Sequence, residues 1–200
     1  MKAAATRGSS NAKAPAPKSA PAASATTAKR ARRPTSNGAT GTAEARPLPT
    51  LKILDTRVLR GANYWSRQPV VKMLVDLGVL EQFPTTKIPG FVDGLIAWMP
   101  SLEDHACSLN RRGGFITRLH DGTWVGHVAE HIALELQNLA GTPVHHGKTR
   151  AAGPVGQYNV VFEYGEEEVG IAAGQLAVRI VNHLVDPNDP AQALDYIEEL

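Results

Sequence analysis

From residue 51 onward, apolar and polar positions recur with periods that predict regular elements. Residues 51–59, LKILDTRVL, read as a strand that stops at Gly61 and the loop 62–66. After Pro69, the run 70–77 is short and β-branched, which predicts a second strand returning beside the first. Residues 90–99, set between Pro89 and Pro100, predict a short helix. Val125, Val128, Ile132, Leu136 and Leu139 then repeat at helical spacing, with Thr123 as the expected N-cap and Gly141, before Pro143, as the stop. Residues 157–164 predict a strand. A last helix is expected from about residue 166 to 184, with Val169, Ala172, Ala173, Leu176, Ala177, Ile180 and Val181 on its buried face. No internal repeat is present. The pattern predicts an α+β fold: a small, mostly antiparallel sheet packed with three to four helices.

The first fifty residues follow a different rule. They are built of Ala, Pro, Ser, Thr and Lys/Arg, without an aromatic residue and with only Leu48 as a large aliphatic after Met1. Too little apolar surface is available there to offset the entropy of ordering, so residues 1–50 are expected to form a disordered basic extension. Charge divides at the same boundary. Residues 1–50 carry nine Lys/Arg against Glu44 alone, and residues 51–200 carry twelve basic and eighteen acidic residues, so the net +2 of the chain averages a basic leader and an acidic domain. Such a leader can attract nucleic acid or an acidic partner, or serve only as a solubilising extension. An organelle transit peptide ranks below a plain cytosolic extension, because large apolar residues are scarce. No secretory or transmembrane stretch occurs, and the single Cys107 excludes an internal disulfide framework; a soluble cytoplasmic protein with no membrane partner is expected.

Chemistry concentrates in the run His127-Val128-Ala129-Glu130-His131. At 100° per residue the two histidines share a helical face with Glu130 beside them. In this H-x-x-E-H spacing two imidazoles can hold a Zn²⁺ while the carboxylate takes a proton from a water activated by the ion. A second reading fits equally well: the His/Glu side lies opposite the apolar stripe and shares Gln137 and Asn138, as a solvated face would.

A catalytic zinc site needs a third protein ligand. Projecting the apolar stripe of the last helix backwards places Glu166 inward, with Glu167 as the fallback, although acidic residues also favour helix N-termini for their own sake. Glu135, two turns beyond His127, suits a bond to a ligating histidine better than direct ligation. Cys107 has His105 nearby, but a lone Cys is more often a small buried residue than a nucleophile or ligand. His145 and His146 read as loop residues. Arg111, Arg112 and Arg150, with Arg60 and Lys148, lie in predicted loops where they can meet carboxylates, and Tyr64 and Trp65 can stack on a planar cation.

The blocks LRGANYWS (59–66), IPGF (88–91), CSLNRRGGF (107–115), HVAEHIALELQNLAG (127–141), GKTR (147–150) and VVFEYGEEEVG (160–170), in this order, resemble the N-terminal domain of cyanophycin synthetases. The resemblance covers about residues 51–186; the leader and residues 187–200, a linker or the start of a following domain, fall outside it. It implies a bacterial domain that holds a polymer of Asp backbone with Arg on each side chain for elongation by following ATP-grasp and Mur-ligase-like domains, in an enzyme that forms homo-oligomers. In some members it implies a metal-dependent site that cuts the polymer into primers. Carried over by position, His127 and His131 are ligands and Glu130 the catalytic base. Glu163 and Glu168 can pair the guanidiniums of the polymer, and Arg111, Arg112 and Arg150 its carboxylates.

Two departures accompany the resemblance. Residues 1–200 contain no Gly-rich phosphate loop, so ATP chemistry is expected only in other domains, whether this chain is a fragment of a longer synthetase or a free-standing copy. Leu109-Asn110 also replaces a Pro-Gly pair usual in the family. The expectation is a polymer-binding domain with a candidate Zn²⁺-hydrolase site, against a noncatalytic tether without metal or, third, a nucleic-acid binder acting through the basic leader.

Overall fold

A computed structural model describes residues 50–187. Nearly all of the basic extension and of the segment 187–200 lies outside the described residues. Four strands, β1 (Lys52–Leu59), β2 (Val70–Asp76), β3 (Gly147–Ala151) and β4 (Gln157–Glu163), form one sheet in the order β1-β2-β4-β3. Every neighbouring pair is antiparallel. Four α-helices accompany it: α1 (Phe91–Trp98), α2 (Gly114–Asp121), α3 (Val125–Leu139) and α4 (Glu167–Val185). The α+β architecture expected from the hydrophobic pattern is therefore present. β2 returns beside β1 as its β-branched run predicts, with Leu59 opposite Val70 and Lys52 opposite Asp76. Two elements escape the pattern. Residues 147–151 form the edge strand β3 where a loop is expected, and α2 is too short and too polar to announce itself.

α3 and α4 pack on each other and on one face of the sheet. Val71, Met73 and Val75 of β2 and Val160 and Phe162 of β4 point toward them and are buried. The opposite face carries the alternate residues, among them Lys72 and Arg57, which are paired across the strands.

The inward face of α4 carries most of the predicted stripe, with Ala173, Leu176, Ala177, Ile180 and Val181 buried, and two glycines join it. Gly170 and Gly174, four residues apart, lie against the sheet: a methyl group on Gly170 would meet Tyr164 Cβ at 2.6 Å, and one on Gly174 would meet Phe162 Cζ at 2.7 Å and Met73 Sδ at 2.9 Å. The helix seats on its glycines close to the strands, and Ala172, expected inside and two residues from each glycine, lies on the exposed side. Glu166 is the N-cap of α4 with an extended backbone (φ −121°, ψ 133°), so the helical projection that put it inward does not reach it, and it stands in solvent. Further along, Asn182 is buried and clamps the start of the domain, with Leu51 N–H donating to Oδ1 at 2.7 Å and Nδ2 donating to the Leu51 carbonyl at 2.9 Å.

Because Gly170 meets the rigid base of Tyr164, Gly170→Val is expected to destabilise the protein by about 1–3 kcal/mol, the ordinary range for overpacking. Ala172→Val, on the exposed side of the same helix, is expected to stay within about 0.5 kcal/mol of the parent. Urea denaturation of the two variants tests the assigned face; equal losses would contradict it.

Candidate functional site

α3 has almost no solvent face. Glu130, His131 and Glu135 are each 5% exposed and Gln137 is fully buried, so the side opposite the apolar stripe is not the solvated surface that its composition also allows. It is covered by the segment 100–115 and by β3, while Leu139, at the end of the stripe, is 57% exposed. Gln137 serves the backbone: Nε2 donates to the carbonyls of Ala133 (3.1 Å) and Glu163 (3.0 Å).

Buried polar groups need partners, and most of these have one. The expected N-cap, Thr123, does not cap α3; that position falls to Trp124, whose side chain makes no capping bond. The Thr123 hydroxyl instead meets His127 Nδ1 at 2.8 Å, which turns Nε2 toward Cys107 Sγ, 3.4 Å away. His131 Nδ1 meets His105 Nδ1 at 2.8 Å, and His105 Nε2 meets Glu135 Oε2 at 2.8 Å. Glu135 thus reaches the ligand pair through an intermediary rather than directly. Phe115 stacks on His131, with ring centroids 3.9 Å apart, and stands edge-on to His127 at 5.7 Å.

The segment bearing His105 and Cys107 closes on itself by backbone bonds from Gly113 to the Glu103 carbonyl (2.7 Å) and from Phe115 to the His105 carbonyl (3.1 Å), and its side chains meet α3 through His105 and Cys107. Gly114 permits this approach, since a side chain there would run into the Ala106 carbonyl. Cys107 itself holds a left-handed backbone (φ 50°), rare for a residue with a Cβ. Asn110 does the same (φ 51°), and Asn tolerates this region better than most residues.

Cys107, His127 and His131 offer one sulfur and two nitrogens, all within 4.8 Å of one another. Thiolate and imidazole form a donor set typical of zinc, and two such donors on one ion stand about 3.6 Å apart. The 3.4 Å between Cys107 Sγ and His127 Nε2 already matches that spacing. The residues therefore fit a metal ion, with Cys107, not Glu166, as the third member of the cluster. Glu166 is exposed, and Glu167 forms an ion pair with Arg60 at 2.6 Å. The only sequence signal for Cys107 is its place in the block CSLNRRGGF, since twenty residues separate it from His127.

Glu130 lies on the same cleft wall. Thr149 Oγ1 of β3 donates to its Oε2 at 2.6 Å, and Gly147 leaves it room: a methyl group there would sit 2.6 Å from Oε1. Burial raises its pKa to about 7, against the opposing effects of the Thr149 bond and the Lys148 charge. Burial also pushes His127 down to about 4, helped by Arg118, and lowers His131 well below the usual imidazole value, helped by His127 and His105.

The cleft has a volume of about 1310 Å³. Around the cluster it gathers Lys148, Arg150, Arg118, His145 and His146 as well as Asp104. Arg150 is thus beside the candidate site, and Arg118 is a cleft residue that the pattern of the sequence does not mark. Arg111 and Arg112 are not in the cleft wall; Arg112 is held by Asp104 at 2.6 Å, and Arg111 reaches Thr117 at 3.5 Å. Tyr64 and Trp65 lie elsewhere too, edge to face with each other and with Lys72 Nζ 6.0 Å from the Trp65 ring, on the sheet face away from the helices. Glu163 accepts a bond from Ser66 at 2.6 Å, and Glu168 is exposed; neither lines the cleft.

The pKa shifts act on stability in opposite directions. Folded Glu130 keeps its proton to about pH 7, whereas the unfolded chain releases it near 4.5. Its contribution is therefore fully present below pH 4.5 and lost as pH rises through 7, about 3 kcal/mol in all. His127 runs the other way: its contribution is present above pH 6.5 and lost as pH falls toward 4. With chelator present, Glu130→Gln is expected to be the more stable protein at pH 8, by up to about 3 kcal/mol, with no such advantage at pH 4.5. Urea denaturation at the two pH values checks this; a difference independent of pH would contradict it.

Among the described residues no helix is long and apolar enough to cross a membrane. Residues 72–186 match the family model described as cyanophycin synthase-like N-terminal domain. The chain is 52% identical over 137 residues to the cyanophycin synthetase of Geminocystis herdmanii, covering 68% of this chain and 16% of that protein. It is 50% identical over 138 residues to the cyanophycin synthetase of Crocosphaera subtropica (68% and 16%) and 49% identical over 141 residues to that of a Synechocystis species (70% and 16%). The matched part spans about one sixth of the length of these curated relatives. With more than half of its residues matched by the family model, and with these similarities in the same region, the chain belongs to the cyanophycin synthase-like N-terminal domain family.

Proposed function

We propose that this domain engages the Asp-Arg polymer cyanophycin and hydrolyses its backbone at a metal site formed by Cys107, His127 and His131. The observation that carries the reading is the convergence of these three donors with the buried carboxylate of Glu130 on one wall of an open cleft. A Zn²⁺ held there would supply Lewis acidity, polarising the scissile carbonyl and acidifying a water molecule. Glu130 accepts the proton of the attacking water and returns it to the leaving amine. A carboxylate whose pKa lies near neutrality suits both halves of that task. Thr149 holds the Glu130 carboxylate in place, and Phe115 fixes the planes of both imidazoles.

The cleft suits a polymer bearing both signs of charge. Lys148, Arg150 and Arg118 face carboxylates, and Asp104 faces guanidiniums, although its bond to Arg112 must then be exchanged. Synthesis belongs, in this reading, to ATP-grasp and Mur-ligase-like domains of a synthetase with which this domain works, on the same chain or as a partner, and it acts in the cytoplasm.

The test is incubation of the full chain with cyanophycin and Zn²⁺, following polymer length. The polymer is expected to shorten, with the rate reduced about 10²–10⁴-fold by Glu130→Gln and abolished by a chelator. Cys107→Ala is expected to abolish cleavage through loss of the ion, measured as bound zinc. Intact polymer that still co-sediments with the protein would leave a noncatalytic tether and overturn the hydrolase reading.

A further inference from the structure

We infer that His105 and Glu135 are positioning residues that set the tautomer of His131, engaging Nδ1 so that Nε2 carries the lone pair the ring can offer to a metal. The inference rests on the metal-site reading above, and deepens it by assigning two residues that do not themselves belong to the Cys107/His127/His131 cluster.

The argument is one of hydrogen accounting. A carboxylate oxygen only accepts, so Glu135 Oε2, 2.8 Å from His105 Nε2, places the ring hydrogen of His105 on Nε2. The other nitrogen of the neutral His105 ring is then an acceptor. It lies 2.8 Å from His131 Nδ1, and of two facing nitrogens one must donate; His131 therefore carries its hydrogen on Nδ1. That leaves His131 Nε2 unprotonated. Without such a partner an imidazole favours hydrogen on Nε2, which would block that atom as a ligand. The Thr123 hydroxyl stands at the same atom of His127, so both imidazoles have their Nδ1 engaged and their Nε2 free to ligate a metal.

The surroundings support an oriented relay rather than a chance contact. The His105 and Glu135 side chains are 13% and 7% exposed, so water competes little for these bonds. His105 is fixed at its backbone by the Phe115 N–H, and Phe115 in turn stacks on the His131 ring. Glu135 stands one helical turn beyond His131, and His105 bridges the two, with Nε2 at Glu135 and Nδ1 at His131.

The test has two arms on the full chain. In the chelator-treated parent at pH 8, long-range ¹H–¹⁵N correlation of the imidazole rings should show His131 protonated at Nδ1, and His105→Phe should move the hydrogen to Nε2. In Co²⁺ titrations followed by visible absorption, His105→Phe should bind about 10–100-fold more weakly than the parent. His105→Gln, whose amide oxygen can accept from Nδ1, should stay within a few-fold. Circular dichroism reports whether the variants keep the fold, which a purely structural role would disturb in both alike. His131 protonated at Nε2 in the parent, or parental Co²⁺ affinity in folded His105→Phe, overturns the inference. Failure of the parent to bind Co²⁺ would instead overturn the metal reading, with the tautomer still decided by the first arm.

Discussion

The structure depends on the nearly complete burial of α3, a helix that carries polar groups along one side. Each such group costs about 1–3 kcal/mol if it loses water without gaining a partner. α3 meets that constraint by taking partners from three separate segments: Thr123 before the helix, His105 in the covering loop, and Thr149 on the edge strand. The covering loop closes only because Gly114 admits the Ala106 carbonyl, and β3 approaches only because Gly147 makes room for Glu130. Site and fold are one problem in this domain. The contacts that make α3 tolerable in the interior are those that aim His127, His131 and Glu130.

The remaining framework serves to hold α3 at a fixed depth. α4 packs on it and reaches the sheet through Gly170 and Gly174, a seat set by backbone proximity rather than by large side chains. The Asn182 clamp on Leu51 then closes the far end of the layer, joining the last helix to the start of the first strand. With the sheet on one side and the segment 100–115 on the other, α3 has little freedom to move.

A site assembled in this way carries a cost in stability. A carboxylate buried until its pKa nears 7 is unfavourable in the charged form that it needs in order to accept a proton, whereas the same burial favours the neutral form of His127 and His131 that ligates a metal. The strained backbone at Cys107 belongs to the same pattern, local conformational cost concentrated where the donors meet.

The sequence by itself determined the repeat-free α+β architecture, the pairing of β1 with β2, the helix bearing His127, Glu130 and His131, and the family. These are local or ordered signals: periodicity, β-branching, helix-stop residues, and blocks in a given order. The apolar stripes of α3 and α4 are largely buried, as their periodicity predicts, and tertiary structure alone decided what happens to the other side of α3. On α3 the histidines and acids give the same pattern for a solvated face as for a buried site, because periodicity records contrast and not what lies opposite. On α4 the glycines that approach the sheet carry no hydrophobic signal, and Glu166, projected inward as a helical residue, is an extended N-cap that stands outside. Cys107 joined the site across twenty residues of chain, and His105 joined it through ring nitrogens; both required the loop to fold back on α3, a closure that depends on a glycine meeting a carbonyl and has no counterpart in the linear pattern.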